Sequence, residues 1–60
     1  MFLTGRERDI AALFVEGKTA KEAALLLRIS PRTVDIYRSR LLRKYSVSST
    51  YDLVRRLTTG

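Results

Sequence analysis

Between positions 32 and 44 the chain carries Arg32, Arg38, Arg40, Arg43 and Lys44, five of its twelve cations, against one carboxylate, Asp35. Cations at this density suit phosphate neutralisation, which needs charge more than fine geometry. Among them stand three side chains of kinds that can read base edges. The Asp35 carboxylate can accept from a cytosine amino group, Ile36 can contact a thymine methyl, and the Ser39 hydroxyl can bond several bases. Wound at about 100° per residue, Arg32, Ile36, Ser39 and Arg43 share one side of a helix, with Asp35 and Arg40 at its edges. Val34, Leu41 and Tyr45 share the other, flanked by Tyr37 and Leu42, and form the stripe to be buried. A charged outer face is also the ordinary solvation of a surface helix. The apolar Ile36 in the middle of it favours a groove.

Base contacts are therefore assigned to Asp35, Ile36 and Ser39, and phosphate contacts to Lys21, Arg32, Thr33, Arg40, Arg43 and Lys44, helped by the positive N-terminal end of this helix. Tyr37 has two readings: its hydroxyl reaches a phosphate, or its ring only packs in the core. Arg38 lies nearer the buried stripe and is assigned to an intramolecular pair with Glu7 or Glu22. Other chemistry has little to stand on. With no cysteine and no histidine, the common zinc sites and thiol or imidazole catalysis are excluded, and there is no glycine-rich phosphate loop. The few carboxylates serve as helix caps or charge partners. No enzyme activity, metal or cofactor is expected.

The elements that must position these residues are marked by capping chemistry. Thr4 with Glu7, and Thr19 with Glu22, have the spacing of reciprocal capping boxes. Ser30 followed by Pro31 places a capping hydroxyl before a proline at the first helical position. Ser49 with Asp52 opens a last helix, and Gly17 supplies the backbone freedom to end the first. The spacing predicts an all-α fold with helices at 5–16, 20–27, 31–45 and 50–58, and no strand. Sixty residues allow one domain, 1–60. Leu3, Ile10, Leu13 and Phe14 are expected to pack on Ala24 and Leu27, with Val34 and Leu41 closing the centre and Leu53 and Leu57 turned inward. The apolar runs are far shorter than a membrane span of about 18 residues. A net charge of +6 calls for a polyanionic partner, and the lack of cysteine suits a reducing, cytoplasmic setting.

Two helices joined by a short turn, the second rich in arginine, form the outline of a helix-turn-helix. Leu3, Thr4, Arg6, Glu7, Arg8, Gly17, Lys21, Glu22, Ala24, Leu27, Ile29, Ser30, Thr33, Val34, Lys44, Val47, Leu53 and Val54 then give nearly the whole chain a resemblance to the C-terminal domain of LuxR-type (LuxR/NarL/FixJ-like) regulators. The resemblance implies four helices with the third in the major groove of double-stranded DNA, and a bacterial transcription regulator acting on a two-fold site. It also implies dimerisation through the fourth helix, here with Tyr51, Val54, Arg55 and Thr58 facing the partner. So small a strip falls below the roughly 1,200 Å² of a stable interface, so the homodimer is expected to be weak and to form on DNA. The chain departs from the pattern at Gly5, where proline is common, at Arg28, where glycine is common, at Ala23, Leu25 and Leu26 in helix 2, and at Asp35, where many relatives carry lysine. Helix 2 is expected to be rotated or to show an extra apolar patch, and base preference is not transferable through Asp35. Two alternatives stand. One is a promoter binder like region four of a sigma factor, with RNA polymerase as a partner docked at Leu25 and Leu26. The other is a helix-turn-helix-derived protein adaptor, which would have no reason to keep Lys21, Arg32, Arg40, Arg43 and Lys44 around one helix.

Overall fold

The computed structural model describes residues 3–59. They form α1 (Gly5–Val15), α2 (Ala20–Leu27), α3 (Pro31–Lys44) and α4 (Thr50–Thr59), with no strand among the described residues. Each helix begins where a side-chain oxygen meets a first-turn amide. Glu7 N donates to Thr4 Oγ1 at 3.3 Å while Thr4 N donates to Glu7 Oε1 at 3.0 Å, and Thr19 and Glu22 repeat the exchange at 2.8 and 3.1 Å. Thr33 N donates to Ser30 Oγ at 3.1 Å, with Pro31 as the first helical residue, and Asp52 N donates to Ser49 Oγ at 3.1 Å. The ends correct the expected boundaries by one residue each. Glu16 and Tyr45 are caps, whose amides still bond back into the last turn, and lie outside α1 and α3. α4 continues to Thr59, whose hydroxyl donates to Arg55 O at 2.7 Å.

The turns between helices use positive φ. Gly17 sits at φ 91°, where a side chain is strained, which accounts for glycine at that position. Arg28, the cap of α2, adopts the left-handed conformation at φ 58° and ψ 45°, the reason glycine is the easier residue at this turn. Ser46, just beyond α3, is also left-handed at φ 55°.

Ile10, Ala11 and Phe14 of α1, Ala23 and Ala24 of α2, Val34 and Leu41 of α3, and Leu53 of α4 make one core. Leu3, Leu13, Leu27 and Leu57 pack against it while half-exposed. Fully burying one such leucine contributes about 1.5–3 kcal/mol, and Leu41 and Leu53 are fully buried. α3 packs on α1 and α2, and α4 on α1 and α3, so α3 is held from three directions with one side left outward. α2 is not rotated, because Ala23 and Ala24 face the core. The extra apolar patch is present instead, with Leu25 73% and Leu26 59% exposed. Among the described residues no helix is long and apolar enough to cross a membrane.

Candidate nucleic-acid interface

α3 divides along its length. Val34 and Leu41 are fully buried, while Arg32, Asp35, Ile36, Ser39, Arg40 and Arg43 are all exposed, so the strip read from the sequence is brought together on one outward face. Ile36 lies 48% exposed within it, apolar surface at the centre of a basic strip. Lys21 is exposed in the first turn of α2. Thr33 is half-buried, and its hydroxyl lies 2.9 Å from Ser30 Oγ. That side chain already belongs to the cap at the start of the helix.

Tyr37 is half-buried and packs against the core. The Arg40 guanidinium lies over its ring, 5.5 Å from the centroid. Such cation–π contact is favourable and gives Arg40 a preferred position at the edge of the strip. Tyr37 thus joins the core to a cation of the outer face.

Two charged residues have partners different from those expected. Lys44 Nζ donates to Glu7 Oε1 at 2.7 Å, a tie across 37 residues. Glu7 is buried, only 1% exposed, and the same Oε1 also accepts from the Thr4 amide. The Lys44 bond, followed by that amide, holds the Glu7 carboxyl below the ordinary 4.5 against the opposing effect of burial. Glu22, capped by the Thr19 amide, is also lowered. Lys44, named as a phosphate contact, is instead engaged in joining the end of α3 to the start of α1. Arg38 is intramolecular, as expected, but with other partners. Its Nε lies 3.8 Å from Asp35 Oδ1 and its Nη1 donates to Thr50 Oγ1 at 3.3 Å. Glu7 is taken by Lys44 and Glu22 by its own capping box.

On α4, Tyr51 is 71% exposed with the Arg55 guanidinium 6.0 Å from its ring centroid. Thr58 is exposed and its hydroxyl donates to Val54 O at 2.9 Å. Val54 is half-buried against the core. Tyr51, Arg55 and Thr58 remain available to a partner, and Val54 only in part. A shallow groove beside this helix is lined by Val47, Asp52, Arg55, Arg56 and Thr59. Among the described residues no group of His, Cys, Asp or Glu could hold a metal ion.

Residues 1–57 match the profile described as "Bacterial regulatory proteins, luxR family". The chain belongs to this family. The transcriptional regulatory protein UhpA of Escherichia coli (strain K12) is 41% identical over 58 residues, 97% of this chain and 30% of that protein. The transcriptional regulatory protein FixJ of Azorhizobium caulinodans is 42% identical over 53 residues, 88% of the chain and 25% of that protein. The tetrathionate response regulatory protein TtrR of Salmonella typhimurium is 37% identical over 54 residues, 90% of the chain and 26% of that protein. The chain spans under a third of the length of each of these relatives. No solved structure matches it. Membership makes this a domain of DNA-binding transcription regulators and not of an enzyme family.

Proposed function

We propose that this luxR-family domain binds double-stranded DNA sequence-specifically, with the outward face of α3 in the major groove and α4 pairing two copies on a two-fold site. The observation that carries this reading is the division of α3. One side is buried to completion at Val34 and Leu41, and the other presents Arg32, Asp35, Ile36, Ser39, Arg40 and Arg43 together. Asp35, Ile36 and Ser39 meet base edges. Arg32, Arg40 and Arg43, with Lys21 from α2, meet phosphates. Thr33 contributes from the helix N-terminus that Ser30 caps. The family match and the cations gathered on α3 favour this over an adaptor that has lost DNA binding. The family match also favours it over a sigma-like domain.

α4 supplies Tyr51, Arg55 and Thr58 to a weak contact that forms on DNA, where two half-sites one helical turn apart hold the copies side by side. Fluorescence anisotropy on selected and random duplexes across a salt series tests the whole reading. Affinity falls steeply with salt, and Arg43→Ala weakens both duplexes while lowering the salt slope by about 0.9. Ile36→Ala lowers the preference for the selected duplex. Absence of binding at low salt would return the chain to the adaptor reading.

A further inference from the structure

Asp35 poses an electrostatic problem for a helix that enters a groove. It is the one carboxylate between positions 32 and 44, it is exposed, and a duplex presents about one negative charge per 1.7 Å of its axis. Uncompensated, it would weaken binding to every sequence. Arg38, one turn on, brings its Nε to 3.8 Å from Asp35 Oδ1. An exposed pair at this spacing contributes little by itself, because two long side chains must be ordered to make it.

The other end of the guanidinium changes that balance. Nη1 donates to Thr50 Oγ1 in the first turn of α4, so the planar group is already held from outside α3. Nε is shielded from solvent and has no hydrogen-bond partner. An unmet donor on an anchored fork has a reason to close on the nearest carboxylate oxygen, and a shift from 3.8 Å to about 3 Å makes that bond.

We infer that Arg38 is a positioning residue for sequence recognition. It neutralises Asp35 and aims its free oxygen at a base amino group, with Thr50 as its anchor, so that the base chosen by α3 is set partly from α4. This rests on the reading of α3 as the groove-facing helix. Arg38 touches neither base nor phosphate, and its whole effect passes through the Asp35 charge. In the major groove the amino groups that Asp35 can accept from belong to cytosine and adenine.

The test is selection from a randomised duplex pool, followed by anisotropy on the selected duplex and a scrambled one, with Asp35→Asn, Arg38→Met, Thr50→Val and the double variant Asp35→Asn/Arg38→Met. The wild-type chain enriches an amino-bearing base at one position of each half-site. Arg38→Met and Thr50→Val lower the preference at that position by about fivefold or more and leave the other positions intact. In the Asp35→Asn background, removing Arg38 changes the preference by less than about twofold. Thr50→Val alters no charge and leaves the Ser49 cap in place, so it carries the test if Arg38→Met fails to fold.

A motif unchanged in Thr50→Val and in a folded Arg38→Met overturns this inference while leaving the DNA reading standing. So does an equal loss on both duplexes with the salt slope lowered by about 0.9 in either background, the mark of a direct phosphate contact. A wild-type chain that binds no duplex at low salt overturns the reading of α3 and this inference with it.

Discussion

Two acid–base pairs end on α3 and are built in opposite ways. Glu7 and Lys44 close to 2.7 Å with the carboxylate side chain 2% exposed, and join residues far apart in the chain. Asp35 and Arg38 stand 3.8 Å apart, one turn apart on the same helix, with side chains 59% and 36% exposed. In the first the carboxylate is shut off from water while the Lys44 side chain is 33% exposed, and the acceptor is shared with a helix cap. The second has a carboxylate side chain more than half exposed. A closed pair can fix where a helix lies, and an open one can meet a ligand. The same helix is thus secured at its C-terminal end by Lys44 and keeps an exposed charged pair on its outward face.

The largest effect expected from breaking this contrast is on stability. Lys44→Met leaves a buried carboxylate without its cation, and the melting temperature should fall on the order of 10 °C or more. Adding Glu7→Gln to it should recover part of the loss, since the amide needs no counter-charge. Thermal unfolding followed by circular dichroism reads both, and a double variant no better than the single would show that packing, not charge, is at stake.

A smaller effect follows from pH. Glu7 is held below its ordinary 4.5 in the folded chain, so around that pH the unfolded chain binds more protons than the folded one. The stabilisation is fully present above the ordinary value and is lost as pH falls through the lowered one. Glu22 acts in the same direction. Melting temperature recorded from neutral pH into acid should therefore drop more gently in Glu7→Gln than in the wild type. An identical acid limb in both would assign the acid sensitivity elsewhere.

The smallest effect is expected at the open pair. Asp35→Asn should move the melting temperature by no more than about 2–3 °C, because an exposed pair is screened and entropically balanced. A drop as large as that of Lys44→Met would erase the distinction between the two pairs.

The parts of this arrangement that were legible in the sequence are those set by neighbours along the chain. Thr4 with Glu7, Thr19 with Glu22, Ser30 with Pro31 and Ser49 with Asp52 place the four helix starts through bonds that span three residues or fewer. The outward strip of α3 follows from helical periodicity alone. Helix ends were less legible, since the Glu16 and Tyr45 amides still bond back to Ala12 and Leu41 and the two residues leave the helix only by a backbone turned to ψ -4° and 1°. Ala11 and Ala23 were not anticipated in the core, because alanine suits a surface helix as well as a close helix contact. Ion-pair partners were illegible for a stronger reason. Glu7 has a complete local role as a capping residue, and nothing in its surroundings in the sequence points to Lys44. Arg38 lay at the border of the buried stripe, which showed that it turns inward but not that Thr50 would meet it there.

The left-handed residues at the edges of α3 bear on how this domain can vary. Arg28 and Ser46, at φ 58° and 55°, are both exposed, and a residue with a β-carbon pays about 1–2 kcal/mol in that conformation. Neither belongs to the core or to the outward strip of α3. Glycine at either position would relieve strain, offset in part by a freer unfolded chain. The fold therefore contains its own margin for change: substitutions on the outward strip of α3 that cost stability can be compensated at Arg28 or Ser46, without disturbing a side chain of that strip.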